Sequence, residues 1–328
     1  MSKFLSPNAI KIASFIAIFL SFGVAFCGND TIPSSPQTAE EWVAKGKIAY
    51  DNLDTKEAIE YFNEAIKLKP DYAEAYFELG KAYAEWGYQR DTGIKCYEKA
   101  IELKPDYTEA YCYMGFAYAA WNGQYGKAIE WFEKAIELKP NYADAYCGMG
   151  IVYAHWDGQY EKAIEYLEKA IELKPDYANA YYYLGAVYRD WNSQYKEAIE
   201  YFKKVIELDP ENTEMYNLLA EVYEEDMQDY EKATECYKKV IELYPNYDYG
   251  YILVGKAYVK WNKQYEEAIK YYKKAIELDP DSGYAYYNMG VAYQALGNEK
   301  EAIECYKAAA RLRQGEAWEW LRDNNISW

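Results

Sequence analysis

The 328-residue chain has a single histidine, His155. A Cys–His or Ser–His–Asp arrangement therefore has at most one place to form. His155 itself, beside Trp156, reads as a partly exposed helix-end residue. There is no Gly-Lys-Ser or Gly-Lys-Thr of a phosphate-binding loop, and "GMG" at 148–150 lacks the third glycine and the strand that a dinucleotide loop needs. The six cysteines have no metal-ligand spacing. No enzyme, cofactor or metal is expected from these residues. Basic residues are the minority, 36 against 54 acidic ones, for a net charge of −18. Such a chain repels nucleic-acid phosphates and anionic lipid. It attracts basic partners, although solubility alone also accounts for such a charge.

Aromatic and apolar residues are plentiful. Half the chain (51%) is hydrophobic, with 41 tyrosines and 10 tryptophans, a composition that opposes disorder and can bury a large core. The N-terminus stands apart. Lys3 and Lys11 precede a 15-residue uncharged run, residues 12–26, that is short for a membrane span and right for a secretory signal. Cys27 follows, then the polar stretch 28–36. Export is expected, with 1–27 as the signal and 28–36 as a linker to the folded part. "VAFC" is similar to a bacterial lipobox, but Phe26 stands where that motif has Gly, Ala or Ser. Lipidation of Cys27 and ordinary cleavage near Ala25–Gly28 are both open, as is an uncleaved anchor. The expected location is the periplasm or the membrane-attached cell envelope, with any membrane attachment through the N-terminus only. Loss of the signal removes two lysines and no acid, taking the charge from −18 to −20.

The remaining sequence is periodic. Pro70, Pro105, Pro140, Pro175, Pro210, Pro245 and Pro280 fall 35 residues apart, and Pro36 lies 34 before the first. They divide the chain into eight units: 37–70, 71–105, 106–140, 141–175, 176–210, 211–245, 246–280 and 281–314. Each reads as two helices. In 141–175, Asn141 is placed to cap the first helix with Asp144 as its capping-box partner. Tyr146, Met149, Gly150 and Tyr153 form one apolar stripe. The stripe stops at Trp156, and Asp157 and Gly158 tolerate left-handed backbone. Ala163, Leu167 and Ala170 carry the second helix, with Ile164 and Ile171 beside them. Glu165 and Lys169 form an exposed i, i+4 pair. Pro175 ends it.

This pattern resembles the tetratricopeptide repeat. The third unit supplies Tyr111, Met114, Gly115, Tyr118, Ala128, Phe132, Ala135 and Pro140. The seventh supplies Tyr251, Val254, Gly255, Tyr258, Ala268, Tyr272, Ala275 and Pro280. The resemblance implies an all-α, right-handed superhelical solenoid of helix-turn-helix repeats over 37–314. Residues 315–328 read as a C-terminal capping helix with Ala317, Trp318 and Leu321 on one side. Lys45 replaces the family's Leu in the first unit and Gln314 replaces the last proline, as suits end repeats with a wetter face. The RNA-reading pentatricopeptide repeat shares the 35-residue period but lacks this Gly/Tyr/Pro set, and the acidic charge opposes RNA.

The middle units carry one residue more than the family's usual period, placed in the turn between the helices. There stand Trp86, Trp121, Trp156, Trp191 and Trp261, followed by Gly87, Asn122, Asp157, Asn192 or Asn262, residues suited to a left-handed position after the helix. The Trp row is expected to cover the edge of each helix pair; a partner-facing rim is the other reading. Asp226 interrupts the row in the sixth unit.

The family's binding wall is built by first helices. Carried over, the resemblance implies a partner surface of Phe77, Lys81, Cys112, Tyr113, Phe116, Ala119, Cys147, Gly148, Ile151, His155, Tyr182, Tyr183, Ala186, Arg189, Asn217, Glu221, Ile252, Lys256, Tyr287 and Asn288. Tyr111, Tyr146 and Tyr181 are expected to pack between helices instead. The centre is apolar and the flanks charged: Glu74, Glu78, Lys81 and Glu85 on one side, Glu214, Glu221, Glu224 and Glu225 on the other. The implied partner is a protein or peptide with an apolar centre and basic flanks. The lysine of the family's chaperone-binding carboxylate clamp is absent: Val43, Phe77, Cys112, Cys147, Tyr182, Asn217, Ile252 and Tyr287 hold its position. A scaffold for protein binding is the leading expectation. A self-associating structural solenoid and a regulatory subunit are the alternatives. Equivalent cysteines on stacked helices lie roughly 8–10 Å apart, too far for a disulfide, so free thiols are expected.

Overall fold

The structure is a computed structural model that describes residues 36–85, 90–120, 123–156, 158–191, 193–324 and 326–327. The export segment with Cys27, most of the linker, Trp86, Gly87, Trp121, Asn122, Asp157 and Asn192 lie outside the described residues, as does the Glu85 side chain. Seventeen α-helices follow one another among the described residues, with no strand. The first helices of the eight units are α1 (Ala39–Asp51), α3 (Ala73–Glu85), α5 (Thr108–Ala120), α7 (Ala143–His155), α9 (Ala178–Asp190), α11 (Thr213–Glu221), α13 (Asp248–Lys260) and α15 (Gly283–Ala295). The second helices are α2 (Thr55–Leu68), α4 (Arg90–Leu103), α6 (Tyr125–Leu138), α8 (Tyr160–Leu173), α10 (Tyr195–Leu208), α12 (Tyr230–Leu243), α14 (Tyr265–Leu278) and α16 (Glu299–Arg311); α17 (Gly315–Asp323) closes the chain. They form two compact units, one ending at Val187 and one starting at Tyr188.

In most units a glycine of the first helix sets the hairpin spacing; Ala220 takes its place in the sixth. A Cβ on Gly115 would lie 2.6 Å from the Phe132 ring, and one on Gly255 2.4 Å from Tyr272. Gly46 with Phe62, Gly80 with Tyr97 and Gly290 with Tyr306 repeat the contact. Only a residue without a side chain lets the aromatic of the second helix lie against the first helix's backbone. Phe62, Phe132 and Phe202 are fully buried, and Ala58, Ala128, Ala163, Ala198, Ala233 and Ala268 are closed off on the same face of the second helices.

Repeat boundaries are set by the residue before each proline. Lys69, Lys139, Lys174 and Asp209 leave the helix near φ −140°, the extended backbone that a following proline favours. Across the turn the lysine folds back over the tyrosine three residues on: Lys69 over Tyr72 at 4.5 Å, Lys104 over Tyr107 at 4.6 Å, Lys174 over Tyr177 at 4.7 Å. The capping expected of Asn141 is not made. Tyr142 is the N-cap of α7 without a side-chain bond, and Asp144 instead accepts from the Tyr177 hydroxyl at 2.5 Å. Its carboxylate thus ties one repeat to the next. Lys169 likewise pairs with Glu172 (2.7 Å) rather than Glu165, an arrangement repeated by Lys99–Glu102, Lys204–Glu207, Lys239–Glu242 and Lys274–Glu277.

Trp156, Trp191 and Trp261 directly follow the last residue of their helices, as expected. Trp156 and Trp261 are the C-caps of α7 and α13 and have extended backbone (ψ 94° and 92°). Asn262, directly after its tryptophan, is left-handed as expected (φ 56°), and the next residue of the turn is left-handed too: Gly123, Gly158, Ser193 and Lys263 all have φ between 55° and 64°. Gln159 and Gln264 then close the turn. Their backbone N–H groups reach the Tyr153 and Tyr258 carbonyls (both 3.1 Å), and their side-chain amides donate to the Trp156 and Trp261 carbonyls (3.2 and 3.1 Å). Trp156 and Trp261 are half-buried. Trp156 lies 6.4 Å from Tyr125 of the preceding repeat, and Trp261 stacks on Tyr258 at 5.8 Å. Edge packing of this kind predicts that Trp156→Ala lowers unfolding free energy by about 1–3 kcal/mol, less than for an enclosed indole. Urea unfolding of the purified variant checks this; a change under about 0.5 kcal/mol would mark the ring as a surface group.

The sixth unit solves the same turn differently. Val222–Asp226 is a single π-helical turn, with the Met227 N–H on the Val222 carbonyl at 3.1 Å. Asp226, in the tryptophan's place, takes the Arg189 guanidinium at 2.9 Å. At the C-terminus α17 buries Ala317 and Leu321 as expected, but Trp318 is 48% exposed, its Nε1 donating to the Ala310 carbonyl. Trp320 does the covering, 4.1 Å from the Tyr306 ring. Lys45 is held by rings, its ammonium 4.3 Å over Tyr61 and 5.6 Å over Trp42.

Candidate protein-interaction surface

The first helices bury nearly half of the expected wall. Phe77, Cys112, Phe116, Ala119, Cys147, Gly148, Ile151, Tyr183 and Ile252 are all buried. Where their contacts are seen, they meet rings of their own hairpin and of the neighbouring repeat. Phe116 lies edge-on to Phe132 at 5.0 Å, and a Cβ on Gly148 would meet both rings. These nine residues are therefore packing between repeats, a correction to the wall read from the sequence. Lys81, Tyr113, His155, Tyr182, Ala186, Arg189, Asn217, Lys256, Tyr287 and Asn288 are half-buried and Glu221 is exposed. Tyr113 rests edge-on against Phe77 (5.2 Å) and Tyr182 against Tyr183 (5.2 Å), so buried rings hold partly accessible ones in place.

The charged flank near the N-terminal end is internally matched. Lys47 contacts Glu74 (2.5 Å) and Glu78 (3.4 Å), and Lys81 contacts Glu78 (2.9 Å). Burial pulls the Lys47 ammonium down, but the Glu78 and Glu74 carboxylates outweigh it and hold its pKa above the ordinary range. Lys81 also lies 5.0 Å over Tyr50 and 5.8 Å over Phe77. In the C-terminal compact unit Glu224 pairs with Lys260 and accepts from the Tyr237 hydroxyl at 3.2 Å. Glu214, Glu221 and Glu225 are exposed, and burial raises the Glu221 pKa despite Arg189. Lys256 donates to the Tyr284 hydroxyl at 3.0 Å, and the Asn288 amide to the Tyr284 carbonyl at 2.7 Å.

Tyr146 and Tyr181, expected to pack between helices, are not enclosed there, although the Tyr146 ring lies 6.4 Å from Tyr166 of the second helix. Both are half-buried at the rim, their hydroxyls on the Pro140 and Pro175 carbonyls (3.2 Å each). They belong to an aromatic face that sequence reading missed. The family tyrosine of a first helix stacks on a second-helix ring: Tyr118 on Trp131, Tyr153 on Tyr166, Tyr188 on Tyr201 and Tyr258 on Tyr271, at 5.4–6.4 Å and within 24° of parallel. The signal was present as an aromatic one residue before the family's buried position, in "EWF", "EYL", "EYF" and "KYY".

Cys96, Cys112, Cys147, Cys236 and Cys305 are buried free thiols, as expected. Burial pushes Cys96 and Cys305 up to about 11 and Cys236 up to about 12. An unfolded thiol ionises near 9.0, so above that pH the unfolded chain releases protons that the folded chain keeps. Stability from these groups is complete below pH 9 and falls as pH rises toward 11–12. Urea midpoints measured on wild type and Cys236→Ala are expected to fall between about pH 8.5 and 10.5, less steeply in the variant. Among the described residues no cluster of three or more His, Cys, Asp or Glu could hold a metal ion, and no helix is long and apolar enough to cross a membrane.

Known proteins share this architecture. No curated protein matches the sequence at a significant level. Among solved structures, yeast Tom70 aligns over 95% of this chain and 69% of its own, at 20% identity and a TM-score of 0.57. PilW, a type IV pilus biogenesis factor, aligns over 64% of this chain and 96% of its own (20% identity, TM-score 0.55). TTC0263, a tetratricopeptide protein of Thermus thermophilus, aligns over 56% and 97% (22% identity, TM-score 0.52). These likenesses show the fold. Sequence profiles described as TPR repeat match residues 46–87, 91–120, 122–155 and 262–297. Profiles described as tetratricopeptide repeat match 141–211, 192–257 and 283–315, and a Sel1 repeat profile matches 73–105. Tiled from residue 46 to 315 and in step with the helix hairpins, these matches mean that the chain belongs to the tetratricopeptide repeat family.

Proposed function

We propose that this chain is a non-enzymatic scaffold that binds a protein or peptide on the wall formed by its first helices, in the cell envelope. The observation that carries the reading is the set of partly accessible tyrosines, Tyr113 and Tyr182, each fixed by a buried ring. Rings already immobilised lose little further freedom on binding and make good anchors. Support for a polypeptide ligand comes from membership of a family built for such contacts, not from any single neighbour. Pairing of Glu74 and Glu78 with Lys47 and Lys81 narrows the expected charge of the partner. Basic flanks are now assigned to the exposed Glu214, Glu221 and Glu225, where they would mainly speed association in a salt-sensitive way.

The test is capture from an envelope extract with the mature chain, residues 28–328. Tyr113→Ala with Tyr182→Ala should release the captured partner and leave the thermal melt within a few degrees. Retention of the partner by that variant contradicts the reading. Export and lipidation are tested by fractionation and intact mass. A lipid-sized increment that disappears in Cys27→Ser supports an anchor, and a cytoplasmic product of full mass rules out export.

A further inference from the structure

The second-helix face carries a cleft of about 600 Å³ in the fourth repeat, lined by Tyr146, Glu165, Tyr166, Glu168, Lys169 and Glu172. Its two rings lie 6.4 Å apart at 31°, and Tyr166 is braced from behind by Tyr153, stacked at 5.4 Å. Equivalent ring pairs occur elsewhere, and in two of them the chain supplies its own cation. In the first repeat Trp42 and Tyr61 (5.4 Å apart) hold the Lys45 ammonium, 4.3 Å over Tyr61. In the third, Tyr111 and Trp131 (5.7 Å apart) have Lys134 at 4.3 Å over the indole. The fourth repeat has the same lysine in sequence, Lys169, whose ammonium pairs with Glu172 (2.7 Å) in the cleft that both rings line.

The carboxylates favour a cation in that space. Glu165 and Glu168 are exposed, and the cleft's lysine pairs with Glu172 rather than with either of them. Repeat five has Glu200 and Lys203 at these positions and repeat seven has Lys270 and Lys273, so both later repeats are less acidic there. Burial raises the Tyr166 phenol pKa, and the nearby Glu165 and Glu133 carboxylates raise it further, a sign of negative potential around the ring. An ammonium over tyrosine faces with carboxylates within reach is favourable in both respects.

We propose that the Tyr146–Tyr166 cleft is a docking site for a lysine side chain of a basic polypeptide partner. Lys45 and Lys134 are internal examples of the contact that the partner's lysine would make. The site lies on a different face from the first-helix wall, so Tyr113→Ala with Tyr182→Ala would not disturb it.

The test uses a fluorescent peptide of four lysines spaced by Gly-Ser, titrated by anisotropy at about 150 mM salt, where long-range attraction is screened, with a norleucine version as the neutral control. Tyr166→Leu, which keeps the net charge, is expected to weaken binding about fivefold or more. Tyr201→Leu, the same ring position one repeat on, should change it less than about twofold, and Tyr166→Trp should bind at least as tightly. Should Tyr166→Leu fail to fold, Glu168→Lys takes its place against Glu200→Lys as the charge-matched control, and only the former should abolish binding. Equal losses in site and control variants would mean a diffuse attraction to an acidic protein and overturn the proposal. Equal binding of the norleucine peptide would overturn it too.

Discussion

Phe132→Ala is expected to lower the free energy of unfolding by about 3–5 kcal/mol, the usual cost of deleting an enclosed aromatic ring. The ring is fully buried and touches more than its own hairpin. It lies under Gly115 of its own repeat and within 2.4 Å of where a Cβ on Gly148 of the next repeat would stand. Phe116 meets it edge-on at 5.0 Å. Deletion thus opens a cavity where two repeats join. In a repeat array, stability is close to a sum of repeat and interface terms, so weakening one junction can divide the transition. Urea unfolding followed by circular dichroism should show an earlier, broader transition. A midpoint within error of wild type would mean that the ring does not join the repeats.

Leu321→Ala should remove about 2–5 kcal/mol, but from the C-terminal end alone. Leu321 and Ala317 are fully buried in a cluster with Ala302, Tyr306, Ala309 and Ala310, while Trp320 covers Tyr306 from the side. Without the leucine, α17 is held by Ala317, Trp320 and the Trp318 indole bond to the Ala310 carbonyl. The expected result is fast hydrogen exchange over residues 315–323 and 299–311 while α5 to α8 keep wild-type protection. Truncation after Gln314 should go further and promote aggregation, since it uncovers the apolar face of the last hairpin. Unchanged exchange over 315–323 in Leu321→Ala would show that the helix is not a cap.

Much of this architecture was legible because every unit says the same thing. Proline spacing marked the boundaries, and the Gly/aromatic pairs, such as Gly115 with Phe132, named the hairpin crossings. The details that were missed arise where a side chain has two neighbours to choose from. Asp144 looked like a cap, yet the Tyr177 hydroxyl of the next repeat is the partner it takes. Cys112 and Ile151 looked like wall residues because they sit off the hairpin stripe, but both are buried. Local periodicity reports the contacts within a hairpin and says little about those between hairpins. The tryptophans show the same division. Their place at the helix end was plain, whereas the second left-handed residue of the turn, Lys263 after Asn262, was not.

The placement of the partner is the claim on which the functional reading stands. Hydrogen–deuterium exchange of the mature chain, with and without the captured partner, tests it most directly. The expected result is slowed exchange over residues 108–120 and 178–190, the first helices that carry Tyr113 and Tyr182. Unchanged exchange in both segments at saturating partner, whatever happens on the second helices, would contradict it.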